Sequence, residues 1–385
     1  MTRFLALLPA AFLATGCSLF GDKEEPIEPP AELESFEATV NVERVWNVRF
    51  GTGADGLIQG LTPVSEGGRV YAGTRNGRAI SLDVASGEPV WAASTKLEFS
   101  AGPGIGGGLV LFGTSEGEIL ALDLATGEER WRTSVSGEVL ASPVVASNTV
   151  IVRSVDGHLR ALSALDGTEI WDVEQSVPRL TLRGTGTPAI VEGAVVAGFD
   201  NGRLAAYDLN DGDTRWENVV APSRGRTELE RLSDVDSSIY VIGQDLYSAS
   251  YSGRVASLAL ESGRILWSQD VSSYKGIGAD WTNIYVTDKN SVVVAINRSS
   301  GAVQWTQETM RMRSLTTPVP FAATIVIGDF EGYLHWLDAR NGQLAARVKT
   351  GKAAIVGTPV VAGDAVIVQS DDGHLIAYRL KDPAG

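Results

Sequence analysis

The chain has 385 residues, with 32 Lys and Arg against 47 Asp and Glu, and a net charge of −15. This balance excludes a typical nucleic-acid-binding protein, which needs clustered cationic side chains. Length alone allows two domains. After residue 20 no apolar stretch is long enough for a membrane-spanning helix.

The first 16 residues have the pattern of a lipoprotein signal peptide. Arg3 precedes an apolar run of ten residues, which is too short to cross a bilayer and typical of export signals. Cys17 is the only cysteine and resembles the acylated cysteine of bacterial lipoproteins, although Ala14 stands where Leu is usual. Ser18 takes the place of the Asp that resembles an inner-membrane retention signal. By this analogy Cys17 anchors the chain in the outer membrane, facing the periplasm; an ordinary signal peptide or an idle thiol is the alternative.

Residues 17–38 are predicted to be an acylated cysteine followed by a flexible tether. The segment is rich in Glu and Pro, as in Glu24-Glu25-Pro26-Ile27-Glu28-Pro29-Pro30. Such a composition cannot bury enough apolar surface to fold by itself. We therefore expect an extended, solvated connection.

A hairpin sequence recurs eight times after the tether. Its centres are Gly77, Gly117, Gly157, Gly202, Gly253, Ser291, Gly332 and Gly373. Most are preceded by Asn, Glu, Asp or Ser, and such pairs tolerate the positive φ of a tight turn. Flanks such as Leu109-Val110-Leu111-Phe112 are typical of strands.

Each hairpin has two further landmarks. A second turn with glycine follows, and four residues after six of these glycines comes Trp91, Trp131, Trp171, Trp216, Trp267 or Trp305; the seventh has Ala346. Fourteen residues before six of the hairpin centres stands a proline, which suits a strand start. Each repeat therefore holds four short strands, the signature of a propeller blade.

We predict an all-β fold, a single eight-bladed β-propeller of four-stranded antiparallel blades over residues 39–381. Eight hairpins are followed by only seven second turns, and the strand from Glu43 to Val48 supplies the missing outer strand. The ring then closes by pairing this N-terminal strand with the C-terminal blade, which removes free edges. The tryptophans are interpreted as blade-to-blade packing, with a ligand platform as the alternative.

The sequence predicts no catalytic residue, no metal site and no cofactor. The histidines are His158, His335 and His374, and the first and last occupy the same position of the repeat. Metal sites need several converging donors. The glycine-rich stretch from Gly104 to Gly108 precedes no helix and is interpreted as a loop.

Two links between blades are longer than the rest. The hairpin centres are 40, 40, 45, 51, 38, 41 and 41 residues apart, and the two longest steps flank the fourth copy. Loops are where a propeller carries specificity. Arg183 lies five residues before Pro188, and Asp234 lies five before Ile239, so both hold equivalent places on neighbouring blades. They predict either a salt bridge between blades or a docking patch for another protein.

The blade repeat, Gly-x-(Leu/Ile)-x-Ala-Leu-Asp followed by Gly-Glu-x-x-Trp, resembles the pyrroloquinoline quinone-type propeller repeat. Some members of that family are calcium- and quinone-dependent dehydrogenases. Those members are much longer, and many carry an adjacent cysteine pair over the cofactor; this chain has neither. A shared scaffold does not imply a shared activity.

The link sequences carry a more specific resemblance. Leu180-Thr181-Leu182-Arg183-Gly184, Arg231-Leu232-Ser233-Asp234-Val235-Asp236 and Glu331-Gly332-Tyr333-Leu334-His335-Trp336 are similar to the BamB family, the lipoproteins of the outer-membrane β-barrel assembly machinery. The similarity covers nearly the whole chain. It implies that Leu180, Leu182, Arg183, Asp234 and Asp236 contact the periplasmic POTRA domains of a BamA-like partner.

The resemblance implies a non-enzymatic periplasmic scaffold, a monomer within a hetero-complex, that supports insertion of outer-membrane proteins. Contact with unfolded barrel precursors is a weaker expectation, since no single residue points to it. Only the lipid anchor is expected to touch the membrane. A quinone-dependent dehydrogenase and a general ligand-binding propeller remain as alternatives.

Overall fold

The computed structural model describes residues 28–52, 60–181, 184–222, 235, 237–251 and 253–381. All regular structure in these ranges is β-strand. Accordingly, the described part of the chain contains no helix that could span a membrane.

The strands form eight sheets arranged as the blades of a propeller, which confirms the predicted fold. Blades 1 and 2 contain β3 (Val64–Glu66), β4 (Arg69–Gly73), β5 (Arg78–Asp83), β6 (Pro89–Ser94), then β7 (Phe99–Gly106), β8 (Leu109–Thr114), β9 (Glu118–Asp123) and β10 (Glu129–Ser134). Blades 3 and 4 contain β11 (Val144–Ala146), β12 (Thr149–Arg153), β13 (His158–Ser163), β14 (Glu169–Glu174), then β15 (Ala189–Val191), β16 (Ala194–Gly198), β17 (Arg203–Asp208) and β18 (Thr214–Val219).

The second half of the chain repeats this order. Blades 5 and 6 contain β19 (Tyr240–Ile242), β20 (Asp245–Ser250), β21 (Arg254–Ala259), β22 (Ile265–Gln269), then β23 (Ile277–Ala279), β24 (Asn283–Thr287), β25 (Val293–Asn297) and β26 (Val303–Gln307). Blade 7 contains β27 (Val319–Phe321), β28 (Thr324–Gly328), β29 (Tyr333–Asp338) and β30 (Leu344–Lys349). Blade 8 contains β31 (Ile355–Ala362), β32 (Ala365–Ser370), β33 (His374–Leu380) and the N-terminal strand β1 (Val42–Arg49), while the short β2 (Gly60–Leu61) pairs in parallel with β7.

The N-terminal strand closes the ring as predicted. β1 runs antiparallel to β33, from the Val42–Leu380 pair to the Arg49–His374 pair. The closure leaves blade 8 with the same four-strand order as the other blades.

The prolines before the hairpins lie at or inside the innermost strands. Pro63, Pro143, Pro188 and Pro318 directly precede β3, β11, β15 and β27. Pro103 and Pro359 lie inside the longer strands β7 and β31, and the pairing register shifts around both. A proline has no N–H to give to the neighbouring strand, so an interrupted register is the expected result.

The tryptophans join each blade to the next, as the packing interpretation requires. In blade 1, the Trp91 indole Nε1 donates a hydrogen bond to the Leu124 carbonyl of blade 2, 3.1 Å away. A Cβ built on Gly127 would lie 2.5 Å from the Trp91 ring, so the glycine leaves the space that the ring fills. Equivalent indole-to-carbonyl bonds link Trp46, Trp131, Trp171, Trp216, Trp267 and Trp305 to the following blade.

The junction of blades 7 and 8, where Ala346 replaces the tryptophan, is built differently. Trp336 is fully buried on β29 and meets Tyr378 of β33 edge to face, with ring centroids 6.1 Å apart. The N–H groups of Thr39 and Val40 donate to the Ala345 carbonyl at 2.8 and 3.3 Å. The N-terminal segment therefore lies beside the position that lacks a large side chain.

The propeller has two faces, which we name for the loops they carry. The link face holds the hairpin turns, such as the one around Gly157, and the links between blades, because Gln175 at the start of a link donates its N–H to the Gly157 carbonyl. The turn face, at the opposite end of the strands, holds the second turns, such as the one from Asp83 to Gly87.

Candidate partner-binding site on the link face

A buried ion pair holds the end of the link between blades 3 and 4. Arg153 closes β12, and its guanidinium contacts the carboxylate of Asp200 in the hairpin turn of blade 4. Both side chains are about 5% exposed or less. The Arg153 Nη1 also donates to the Gly184 carbonyl at 3.2 Å. Gly184 directly follows Arg183, so the pair fixes where this link returns to the propeller.

The link between blades 4 and 5 returns to the same hairpin turn. Val235 is fully buried, and its N–H donates to the Phe199 carbonyl at 3.3 Å. The Ser237 hydroxyl donates to the Ala249 carbonyl at 3.0 Å and accepts the Ala249 N–H at 2.8 Å. Val235 lies between Asp234 and Asp236 in the chain, so this contact brings the second link to blade 4.

The ends of the two links are bonded to each other. The Ile239 N–H donates to the Thr187 carbonyl at 3.3 Å, and the Thr187 N–H donates to the Ser238 hydroxyl at 3.4 Å. These residues lie 51 and 52 positions apart in the chain. The described ends of the two longest links therefore form one continuous surface.

Of the five predicted contact residues, only Leu180 lies within the described residues. Leu182, Arg183, Asp234 and Asp236 lie outside them. The Leu180 side chain is 42% exposed, and Val177 on the same link is 39% exposed. Pro178 and Arg179 between them are also exposed. Exposed aliphatic side chains beside an arginine are a composition found at protein interfaces.

Comparison with known proteins agrees with the family resemblance of the sequence. A family model described as outer membrane protein assembly factor BamB matches residues 39–99, 81–307 and 289–383. The chain is 49% identical to a protein of Alkalilimnicola ehrlichii with that name, over 98% of this chain and 97% of the relative. The chain belongs to the BamB family.

Solved structures give the same answer for the fold. The crystal structure of BamB from Moraxella catarrhalis matches with a TM-score of 0.80 and 28% identity, covering 88% of this chain and all of that one. A europium-containing methanol dehydrogenase also matches, with a TM-score of 0.72 at 13% identity, over 88% of this chain and 93% of that one. At that identity the likeness concerns the propeller alone.

The BamB-family propeller has a cavity of about 410 Å³ on its axis at the link face. Its lining includes the hydroxyl side chains of Thr62, Ser142, Thr185, Thr187, Ser238, Ser314, Thr316 and Thr317. Lys275 and Asp371 contribute charged groups. The Lys275 ammonium lies 4.9 Å from the centroid of the Tyr274 ring, and burial lowers its pKa.

The lining of this cavity does not fit the calcium-quinone group of the dehydrogenases. Calcium in proteins takes six to eight oxygen ligands, with carboxylates prominent among them. Asp371 is the one carboxylate in the described lining, and no cluster of three His, Cys, Asp or Glu residues suited to a metal occurs among the described residues.

The residues that hold the links were not predicted from the sequence. Arg153 lies four residues before its hairpin centre, where the equivalent residues in four other copies are Gly73, Gly113, Gly198 and Gly328. An arginine that ends the apolar run Val150-Ile151-Val152 is a visible departure from the repeat. Asp200 carried no such signal, because the equivalent position varies freely among the copies.

Proposed function

We propose that this chain is a non-enzymatic scaffold lipoprotein of the outer-membrane β-barrel assembly machinery. It binds the POTRA domains of a BamA-like partner on the periplasmic face of the outer membrane and supports folding and insertion of outer-membrane proteins. Membership of the BamB family supports the assembly role. The observation that carries the binding site is the direct bonding of the two longest links through Thr187, Ser238 and Ile239.

The proposed contact combines apolar and charged groups on those links. Leu180 and Leu182 supply apolar contact, Arg183 supplies a cation, and Asp234 and Asp236 supply acidic groups. Arginine with apolar neighbours is enriched at the centre of interfaces, where truncation of a single residue costs about 2 kcal/mol or more. Acylated Cys17 holds the chain at the membrane while the links hold the partner.

Charge reversal at Arg183 tests the proposed interface. We expect Arg183→Glu to weaken capture of the BamA-like partner by about 30-fold or more, the equivalent of about 2 kcal/mol. Arg340→Glu is the matched control, since Arg340 lies on the turn face with its side chain 84% exposed. The Arg183 variant should melt like the unmodified protein. Unchanged capture by the Arg183 variant would remove the link surface from the proposal.

Direct contact with unfolded barrel precursors is a second part of the proposal. The outer strands β6, β14, β22 and β26 expose the apolar side chains of Val90, Ile170, Leu266 and Val303. An outer strand with apolar side chains can accept an added strand from an extended peptide. Photo-crosslinkers at Ile170 and Leu266 should capture a precursor in cells, and capture only by a crosslinker on the link face would oppose this role.

The two alternative functions have separate tests. A quinone-dependent dehydrogenase would oxidise alcohols with an electron-accepting dye once quinone and calcium are supplied, and turnover would overturn the non-enzymatic proposal. A general ligand-binding propeller would bind its ligand in the axial cavity. When purified from membranes, it would carry no proteins of the assembly machinery. Native purification from membranes, followed by identification of the bound proteins, separates it from the scaffold.

A further inference from the structure

Residues 28–41 lie along the outer side of blade 7, and we call this segment the strap. It belongs partly to the sequence predicted as a flexible tether, residues 17–38. Its contacts begin at Arg311 in the link before blade 7 and end at Ala345 on β30. The strap then continues directly into β1.

The first part of the strap is held at the link face. The Arg311 guanidinium donates to both carboxylate oxygens of Glu28, at 3.0 and 2.8 Å. The Ala31 N–H donates to the Arg311 carbonyl at 3.0 Å, and the Arg313 Nη1 donates to the Ala31 carbonyl at 2.9 Å. The hydrogen bond from Arg311 lowers the pKa of Glu28, which favours the ionised carboxylate that accepts both bonds.

The middle of the strap lies against a third arginine, Arg347. The Arg347 Nη1 donates to the Glu34 carbonyl at 2.9 Å, and the guanidinium lies 5.0 Å from the centroid of the Phe36 ring. These contacts combine a charge-assisted hydrogen bond with a cation–π interaction.

Arg313 and Arg347 are both positioned by one buried pair inside blade 7. The Arg347 Nε donates to Nδ1 of His335 at 3.2 Å, and the His335 Nε2 lies 3.1 Å from the Asp329 carboxylate. The same carboxylate accepts a hydrogen bond from the Arg313 Nε at 2.8 Å. His335 and Asp329 are fully buried, so the two guanidinium groups are held from inside the blade.

The end of the strap lies near the turn face. The N–H groups of Thr39 and Val40 donate to the Ala345 carbonyl, and Val40 and Val42 pack against the core of blades 7 and 8. Ala345 is the second residue of β30, which starts just after the turn at Gly342. The strap therefore runs from the link face to the turn face, and β1 returns in the opposite direction.

This direction decides where the chain before residue 28 leaves the propeller. Glu28 and Ala31 are bonded to Arg311, whose neighbour Met312 donates its N–H to the carbonyl of Asn290 in the hairpin turn of blade 6. That turn lies on the link face. The N-terminal end of the strap and the ends of the two longest links accordingly lie on the same face.

We propose that the strap fixes the exit of the N-terminus on the link face, and that this exit favours the orientation in which the partner-binding surface faces the outer membrane. This inference rests on the proposed acylation of Cys17. Eleven residue steps separate Cys17 from Glu28, and at full extension they span at most about 36–40 Å. A fully flexible connection up to residue 38 would leave the propeller near the turn face, where Thr39 is bonded, and would span about 70 Å, so it would not favour the link face.

The strap also sets the size of the partner that fits. A folded domain of about 100 residues has a radius of gyration of about 13 Å. A gap of about 40 Å admits one such domain between the link face and the bilayer. The tether and the links would then hold a membrane-attached partner from two sides.

Distances between paired spin labels test the strap without partner or membrane. In the full chain with Cys17→Ser, one label replaces Pro29 and the second replaces either Glu308 or Trp281. Glu308 lies at the link-face end of blade 6, and Trp281 lies at its turn-face end with 86% of its side chain exposed. We expect narrow distributions, with the Pro29–Trp281 distance longer by about 20 Å, the length of six strand residues. Broad distributions, or a shorter distance to Trp281, would overturn the proposed strap.

Quenching at a bilayer tests the orientation. The acylated chain, with a fluorophore at Glu308 or Trp281, is bound to phosphatidylethanolamine–phosphatidylglycerol vesicles with a headgroup-attached quencher. The Glu308 fluorophore should be quenched several-fold more than the Trp281 fluorophore, and neither should be quenched in the Cys17→Ser control. Equal quenching, or stronger quenching at Trp281, would overturn the orientation.

Mass spectrometry of the mature N-terminus separates the two proposals. If Cys17 carries no lipid, the anchor in the proposed function and the orientation fail together, whereas the label distances still decide the strap. If Cys17 carries lipid but the quenching pattern is reversed, only the orientation fails. Partner capture by Arg183→Glu tests the link surface alone and affects neither the label distances nor the quenching pattern.

Discussion

The buried pair of Arg153 and Asp200 provides the sharpest test of how the link surface is built. Arg153→Met removes the cation and leaves the Asp200 carboxylate about 5% exposed. Breaking a buried ion pair by removal of one partner costs about 3–5 kcal/mol of unfolding free energy. The same change removes the donor to the Gly184 carbonyl, so the link loses its anchor beside Arg183.

A double variant separates stability from positioning. In Arg153→Met with Asp200→Leu, two apolar side chains replace the pair, and such replacements are often neutral or stabilising by about 1–4 kcal/mol. We therefore expect unfolding free energy to recover to the original value or above. Partner capture should be weakened in Arg153→Met and should stay equally weak in the double variant, because neither new side chain can donate a hydrogen bond to the Gly184 carbonyl.

Urea unfolding measures the unfolding free energy, from the transition midpoint at an unchanged slope. Capture of the BamA-like partner measures how well the link is positioned. The control is Arg130→Met, since Arg130 pairs with Asp123 at 2.8 Å with its side chain 60% exposed. Exposed pairs contribute about 0–1 kcal/mol. A loss below about 1 kcal/mol in Arg153→Met, or full capture by the double variant, would refute the reasoning.

Three further predictions concern blade packing and pH. Trp131→Ala should lower the unfolding free energy by about 3–5 kcal/mol in urea, because a buried ring and its bond to Ala164 are lost. Gly167→Ala should lower the unfolding free energy by about 1–3 kcal/mol in the same assay, because the new Cβ would lie 2.7 Å from the Trp131 ring. An unchanged midpoint in either variant would contradict the packing of Trp131 between blades 2 and 3. Burial lowers the pKa of His335, so the unfolded chain binds a proton that the folded chain does not. Stability should fall as pH drops below about 6.5, by at most about 1.4 kcal/mol per pH unit, and His335→Gln should flatten this slope in thermal melts; an unchanged slope contradicts a neutral buried imidazole.

Much of the architecture could be read from the chain because its determinants are local and periodic. Tight turns at residues such as Gly77 and Gly117 fix the hairpins, and the number of these hairpins gives the number of blades. Trp91 and its equivalents stand at one position of the repeat, so their packing follows from the pattern. The strand containing Trp46 could be assigned to the last blade because one outer strand was missing.

The candidate site could be predicted only in outline. The two long links stand out against the spacing of the repeat, and Leu180 is exposed as a contact residue requires. The repeat also relates Arg183 to Asp234 by position, and that relation stays a prediction. Repeat spacing says nothing of hydrogen bonds between links, so the contact of Thr187 with Ser238 was not foreseen.

The sequence by itself determined the number of blades, the closing strand and the links that depart from the repeat, because turn chemistry and apolar alternation act over a few residues. Only the tertiary structure decided how the irregular parts meet. Arg153 reaches Asp200 across 47 residues, and Arg311 reaches Glu28 across 283. Such polar contacts have no period in the chain; they exist because blade 3 packs beside blade 4, and because the closing strand β1 brings the N-terminal segment beside blade 7.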